Sequence, residues 1–148
     1  MITAFYILFA FALLSIVLHR SIFLKPFALL GLGLSFFYTL SGGHEGIKLF
    51  ELIVEIVLFA VVLHETDEMS ITQSLFIGAS SILLLESESL LSFVISFEAL
   101  SLISVILVSQ VKTKDQAEGA VKMFIAGAMA TGILFLGLSF YVWVVVFC

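Results

Sequence analysis

The sequence predicts an all-α fold, a polytopic bundle of about six membrane-spanning helices, and three observations carry that expectation. The chain is 62% hydrophobic and only 11% charged over 148 residues, with a mean hydropathy of +1.29, whereas soluble domains carry ~25% charged residues. Its apolar runs approach the ~20 residues that a helix needs to cross a bilayer. The connections between runs are short and polar, so successive helices should pack antiparallel. Spanning strands need only ~9–11 residues of alternating character, and these runs are longer and apolar on all sides.

The first helix is expected over about residues 2–18. No positive residue precedes it, and His19-Arg20 follow it, which is the reverse of a secretory signal; a retained helix starting outside the cytoplasm is expected. The second, about 26–40, opens at Pro26, a residue that a first helical turn tolerates, and ends before Ser41-Gly42-Gly43-His44. The third, about 47–63, stops at His64-Glu65-Thr66-Asp67-Glu68, read as a solvated loop. The fourth, fifth and sixth are expected over about 70–85, 89–111 and 119–147. No Pro-rich linker or low-complexity segment interrupts the chain, so residues 1–148 are read as a single transmembrane domain. Small residues four apart, Gly127/Thr131 and Ala128/Gly132 on the sixth helix and Gly31/Ser35 on the second, read as ordinary close packing.

Composition also narrows the function. A single cysteine, Cys148, leaves no disulfide framework or multi-cysteine metal site, and His19, His44 and His64 have no ligand spacing, so no metal site is expected. A net charge of −5 with six Lys+Arg argues against a nucleic-acid partner. There is no phosphate-binding glycine loop and no nucleophile–base pair, so any catalysis would consist of moving ions. Arg20, Lys25, Lys112, Lys114 and Lys122 gather on one side and Lys48 alone on the other. The basic side should be cytoplasmic, which puts the amino terminus, the Gly-Gly-His turn and a solvent-reached Glu86–Glu88 turn outside.

The sharpest signal is Glu98, the lone ionisable group in "SFVISFEALSLISVILV", residues 92–108. It lies about 12 Å along its helix at ~1.5 Å per residue, near the middle of a ~30 Å hydrocarbon slab. A central acid costs about 2.5–3.5 kcal/mol on insertion scales and usually faces a wet or protein-lined interior. It can exchange protons, or stay neutral and hydrogen-bond a neighbouring helix. Ser101 and Ser104 continue its face. Glu118 and Lys122 stand four apart with the acid first, the favourable order for a helical ion pair; a lysine snorkelling to the interface is the competing reading. Glu51 and Glu55 share a face of the third helix, with Lys48 three residues before Glu51. Ion handling and a closed structural network both remain open there.

The stretch "LLSFVISFEALSLISVILV", a short basic loop, and "AEGAVKMFIAGAMATGILFLG" together resemble the antiporter-like membrane subunits of respiratory complex I. The wording is nearest the subunit N branch of proton-translocating NADH–quinone oxidoreductases. The resemblance covers roughly residues 75–140; the first half of the chain matches only in hydropathy and helix count. In that family the fifth helix carries a glutamate followed by small or leucine-type residues and serine, as Glu98-Ala99-Leu100-Ser101 does here. The sixth opens with a Glu-Ala-x-x-Lys-Tyr-Phe-like element, here Glu118-Gly119-Ala120-Val121-Lys122-Met123-Phe124, with Met123 replacing the usual aromatic residue. The acidic Glu86-Ser87-Glu88 replaces an Asn-Asp type turn.

The resemblance implies that Glu98 is a proton-site carboxylate and that Glu118 and Lys122 are the charged pair of the sixth helix. It assigns nothing to Glu51 or Glu55. It implies a non-redox subunit of a translocase with no cofactor of its own, while NAD, FMN, iron–sulfur clusters and quinone belong to partner subunits. The expected partners are other complex I membrane subunits and the lipid bilayer, in a bacterial inner (plasma) membrane. Members of the family have about fourteen helices in inverted repeats with broken helices at ion sites. This chain is therefore expected to be an amino-terminal portion without independent activity. Two alternatives are a cation/proton antiporter subunit and a structural membrane subunit or assembly factor.

Overall fold

A computed structural model describes residues 3–18, 23–41, 45–110 and 114–147, all helical apart from short turns. Six helices follow in order: α1 Thr3–Val17, α2 Leu24–Ser41, α3 Glu45–His64, α4 Glu68–Leu85, α5 Leu90–Ser109 and α6 Lys114–Phe147. No strand occurs among the described residues. Among the described residues four helices are long and apolar enough to cross a membrane, namely α2, α4, α5 and α6. α1 is apolar but 15 residues long as described. α3 has 20 residues, or about 30 Å at ~1.5 Å per residue, and its shortfall is one of composition: Lys48, Glu51 and Glu55 lie within it. Two of those three charges face inward, so α3 still presents an apolar exterior. His19, Arg20, Lys112, Cys148 and the Gly42-Gly43-His44 turn, on which the expected orientation partly rests, lie outside the described residues.

Most helices begin earlier than the apolar runs do, for local reasons. α4 starts at Glu68 because Asp67 caps it, its Oδ2 accepting from the Ser70 backbone N–H at 3.0 Å and from the Ser70 hydroxyl at 3.0 Å. The acidic run before α4 is therefore a folded turn, in which Glu65 Oε1 also accepts from the N–H groups of Thr66 and Asp67 at 3.1 and 3.2 Å. α6 starts at Lys114, five residues before the expected Gly119. Asp115 in its first turn suits the positive end of the helix dipole, and the Glu118–Lys122 pair adds support one turn further on.

The chain divides into two compact units, Met1–Ile103 and Ser104–Cys148. In the first, α1 to α4 pack as a four-helix bundle in which α1 meets α2 and α4, α3 meets α2 and α4, and α2 also meets α4. Each helix contributes an inward stripe at three- and four-residue spacing: Ala4, Leu8, Ala12 and Ser15; Leu24, Ala28, Leu32, Ser35 and Thr39; Glu51, Glu55, Leu58 and Val62; Ile71, Leu75, Ala79 and Ile82. The outer surface is greasier than the core. Phe23 and Phe37 stand 72% and 71% exposed, as expected where lipid, not water, is the solvent. In the second unit α6 is 34 residues long and exposed along nearly all its length, with Ala120 and Thr131 its buried positions among the described residues. The Thr131 hydroxyl donates to the Gly127 carbonyl of its own helix at 3.1 Å.

Two glycines fix the close approaches in the bundle. A Cβ on Gly31 would lie 2.6 Å from Phe11 Cγ and Cδ1 and 2.9 Å from its Cβ. The Phe11 ring is itself held against Phe27 at a centroid distance of 4.6 Å. A Cβ on Gly78 would meet the Cδ1 methyl of Leu58, the mobile tip of that side chain. Gly31→Ala should therefore destabilise the bundle by about 1–3 kcal/mol, since the root of Phe11 cannot swing away, and Gly78→Ala by distinctly less. Denaturant midpoints in detergent, followed by circular dichroism, check the ranking.

The α2/α3 hairpin is laced at both ends by lysines. Near the start of α2, the Lys25 ammonium donates to the carbonyls of Leu63 and Glu65 at 2.7 and 2.9 Å, at the end of α3. Near the start of α3, the Lys48 ammonium donates to the Leu40 carbonyl at 2.6 Å, at the end of α2. Each cation satisfies carbonyls that a helix terminus leaves open and sits at the negative end of a dipole.

Candidate functional site

The densest group of ionisable and polar side chains in the first unit lies inside the bundle, on the inward stripe of α3. Glu51 and Glu55 are 4% and 2% exposed. Glu55 falls at the middle of α3 and takes its partners from α2: Ser35 donates a short hydrogen bond to Oε1, and Thr39 donates to the same oxygen at 3.3 Å. These hydroxyls behave differently from most others in the chain. Ser15, Thr72, Ser74, Ser81, Ser96, Ser109 and Ser139 all donate to carbonyls of their own helices, the usual habit in membrane helices. Ser35 and Thr39 instead cross to another helix. Oε2 of Glu55 is buried and has no hydrogen-bond partner. The Glu55 residue also lines a cavity of about 200 Å³ on the α2/α3 seam whose other walls are Leu32, Gly33, Phe36, Ile56 and Phe59.

Glu86 caps α4 at the end of the bundle nearest Glu51. Its backbone N–H donates to the Ile82 carbonyl at 2.9 Å, and its Oε2 is buried without a partner. The Glu86–Glu88 turn was expected to be reached by solvent throughout; Glu88 is exposed, but Glu86 is half-buried. Its carboxyl is pushed up to about 7, first by burial and then by the nearby Glu51 carboxylate, with the positive amino terminus opposing them. The Glu-Ser-Glu turn therefore places a titrating group at the rim.

Glu98 lies on α5, half-buried. Among the described residues no hydrogen bond or ion pair reaches it, while Val94 and Ser96 on the same helix are buried. The structure thus puts Glu51 and Glu55 on one inward face of α3, with Glu86 close enough to Glu51 to feel its charge. Ser96, two residues away, donates to the Ser92 carbonyl at 2.6 Å, so that hydroxyl serves its own helix. In the second unit Glu118 and Lys122 form an ion pair at 2.6 Å, with side chains 59% and 74% exposed. Exposed pairs of this kind contribute about 0.3–0.5 kcal/mol.

Neither Ser35 nor Thr39 was legible as a site residue from sequence. The available signal was the spacing 51, 55, 58, 62: the two acids extend the Leu58/Val62 stripe backward by three and then four residues. Among the described residues no group of His, Cys, Asp and Glu could hold a metal ion.

Residues 87–145 match the family model described as NADH:quinone oxidoreductase/Mrp antiporter, TM. The matched stretch, under half of the chain, takes in Glu98, Glu118 and Lys122, and its description covers oxidoreductase and antiporter proteins alike. No curated protein and no solved structure matches the chain. The helical bundle and its candidate spans are those of a multi-pass membrane protein, and residues 87–145 are similar to that membrane-domain family.

Proposed function

We propose that the chain belongs to the membrane arm of an NADH–quinone oxidoreductase, of the subunit N type, and takes part in coupling electron transfer to proton translocation. The observation that carries this reading is the family match over residues 87–145, which spans the Glu98 helix and the Glu118–Lys122 pair in one register. Glu98 accepts and releases the proton, and its affinity is set by the approach of a cation. A unit charge at ~4 Å is worth about 4 kcal/mol at an effective dielectric of ~20, or roughly three pKa units. Glu118 and Lys122 form the charged pair that such a rearrangement moves, and Glu51 and Glu55 are further proton-handling groups. Flavin, iron–sulfur clusters, NAD and quinone are held by partner subunits in a bacterial inner membrane, and the amino terminus lies outside the cytoplasm.

Glu98→Gln in the assembled complex should cut proton pumping per electron by roughly tenfold or more, the scale on which removal of a positioned proton-transfer group acts. Vesicle acidification read against quinone reduction measures it, and pumping that stays normal per electron refutes the role. The structural-subunit alternative predicts less assembled complex with normal pumping in what remains. The cation/proton antiporter alternative rests on the second half of the matched family's description. It predicts sodium-dependent proton exchange in vesicles without any electron donor.

A further inference from the structure

Beyond the Glu98 reading, we propose that Glu55 is a proton-binding site in its own right, reached from one rim of the α1–α4 bundle through Glu86 and Glu51. The geometry of the carboxyl carries this. Oε1 already accepts from the two α2 hydroxyls of Ser35 and Thr39, so it plays the part of a carbonyl oxygen. Oε2 is buried and accepts from nothing, and the carboxyl lies in an apolar lining, so Oε2 is the oxygen that carries the proton. A buried carboxylate without a counter-charge is strongly disfavoured; binding a proton removes the charge and leaves both hydroxyl bonds intact.

The charged and titratable groups on the packed elements fit this. On α2, Lys25 is committed to the carbonyls of Leu63 and Glu65, and Tyr38 is 42% exposed. On α4, Glu68 sits in the first turn, at the opposite end from Glu86. On α3 itself Lys48 is turned to the Leu40 carbonyl, His64 is in the last turn, and Glu51 lies one turn from Glu55 on the same face. Among the described residues no Lys, Arg or His side chain bonds Glu55. What leads from Glu55 toward the rim is Glu51 and then Glu86, and Glu86 feels both the Glu51 charge and the opposing positive charge of the amino terminus. Protons can pass between carboxyls so arranged, by way of water, without any side chain leaving its helix.

The test is infrared spectroscopy of the full chain in lipid vesicles, with helix content checked by circular dichroism. At neutral pH a protonated-carboxyl C=O band is expected that disappears in Glu55→Gln. The same band should move to higher frequency in Ser35→Ala and in Thr39→Val, because each removes a donor from the carbonyl oxygen. Exchange of that proton in D₂O should slow severalfold in Glu51→Gln and in Glu86→Gln. A neutral-pH spectrum identical in the native chain and Glu55→Gln overturns the site. Exchange unchanged in both rim variants overturns the route. Glu98→Gln should leave the band untouched, so failure of this inference and failure of the Glu98 role are read separately.

Discussion

Replacing Ser35 by Ala and Thr39 by Val in one chain should lower the stability of the α1–α4 bundle by about 2–4 kcal/mol. The substitutions are nearly isosteric, so little of this comes from packing. It comes from Glu55, which loses both donors to Oε1 while remaining 2% exposed. A buried polar group stripped of its partner costs about 1–3 kcal/mol, and Ser35 should supply the larger share because the Thr39 contact is long, at 3.3 Å. Adding Glu55→Leu in the doubly substituted background should restore most of the loss, because replacing both sides of a buried polar contact by apolar groups is close to neutral. The adjoining cavity can take the branched side chain, and its walls are apolar. Unfolding titrations in mixed micelles, read by circular dichroism, measure the cycle. If the triple variant is no more stable than the double, the cost lies in α2 packing and not in the stranded acid.

The helical membrane class was readable because it depends on quantities that sum along the chain. Lipid leaves no cheap alternative to a closed backbone hydrogen-bond ladder, so apolar length alone fixes helix identity, and the six runs correspond to six helices among the described residues. Their starts were less legible. Apolar runs mark where the chain is greasy, not where the backbone ladder begins, and α6 begins on Lys114, Asp115 and Gln116, where nothing is apolar.

Which face points inward was harder, and the site suffered for it. In a soluble helix the polar face gives the core away by contrast; α5 is apolar on nearly every side, so Glu98 could be placed in depth but not in azimuth. Its position along the helix singles it out in the sequence, and the structure leaves it half-buried. Glu55 and Glu51 looked ambiguous for the converse reason. Lys48 was close enough in sequence to neutralise Glu51, but it instead reaches the Leu40 carbonyl. The partners of Glu55 come from a helix some twenty residues earlier, where Ser35 had been read as a small residue for close packing. It is small enough for that role and also supplies the hydrogen bond. Cross-helix hydroxyl contacts of this sort leave no local signature.

Glu86 gives a pH dependence whose sign is fixed by the direction of its shift. In the unfolded chain its carboxyl titrates near 4.5, and in the folded chain at about 7. Between those values the folded state binds more protons, so the bundle should lose stability as pH rises from about 4.5 to 7 and then level off. The stabilisation is fully present below 4.5 and gone above about 7. One pKa unit is worth 1.36 kcal/mol; because the group is only half-buried and partly screened by solvent, a change of about 1–2 kcal/mol is expected rather than the full shift. Glu86→Gln keeps the shape, removes the titration and should flatten the profile across this window. Above pH 7 it should be more stable than the native chain, since a neutral amide facing Glu51 replaces a carboxylate that burial and Glu51 both oppose. Unfolding midpoints at closely spaced pH values in the two chains test this. A native profile that rises with pH in this window would mean that Glu86 is ionised and paired, which would also remove it as the rim group through which protons reach Glu51.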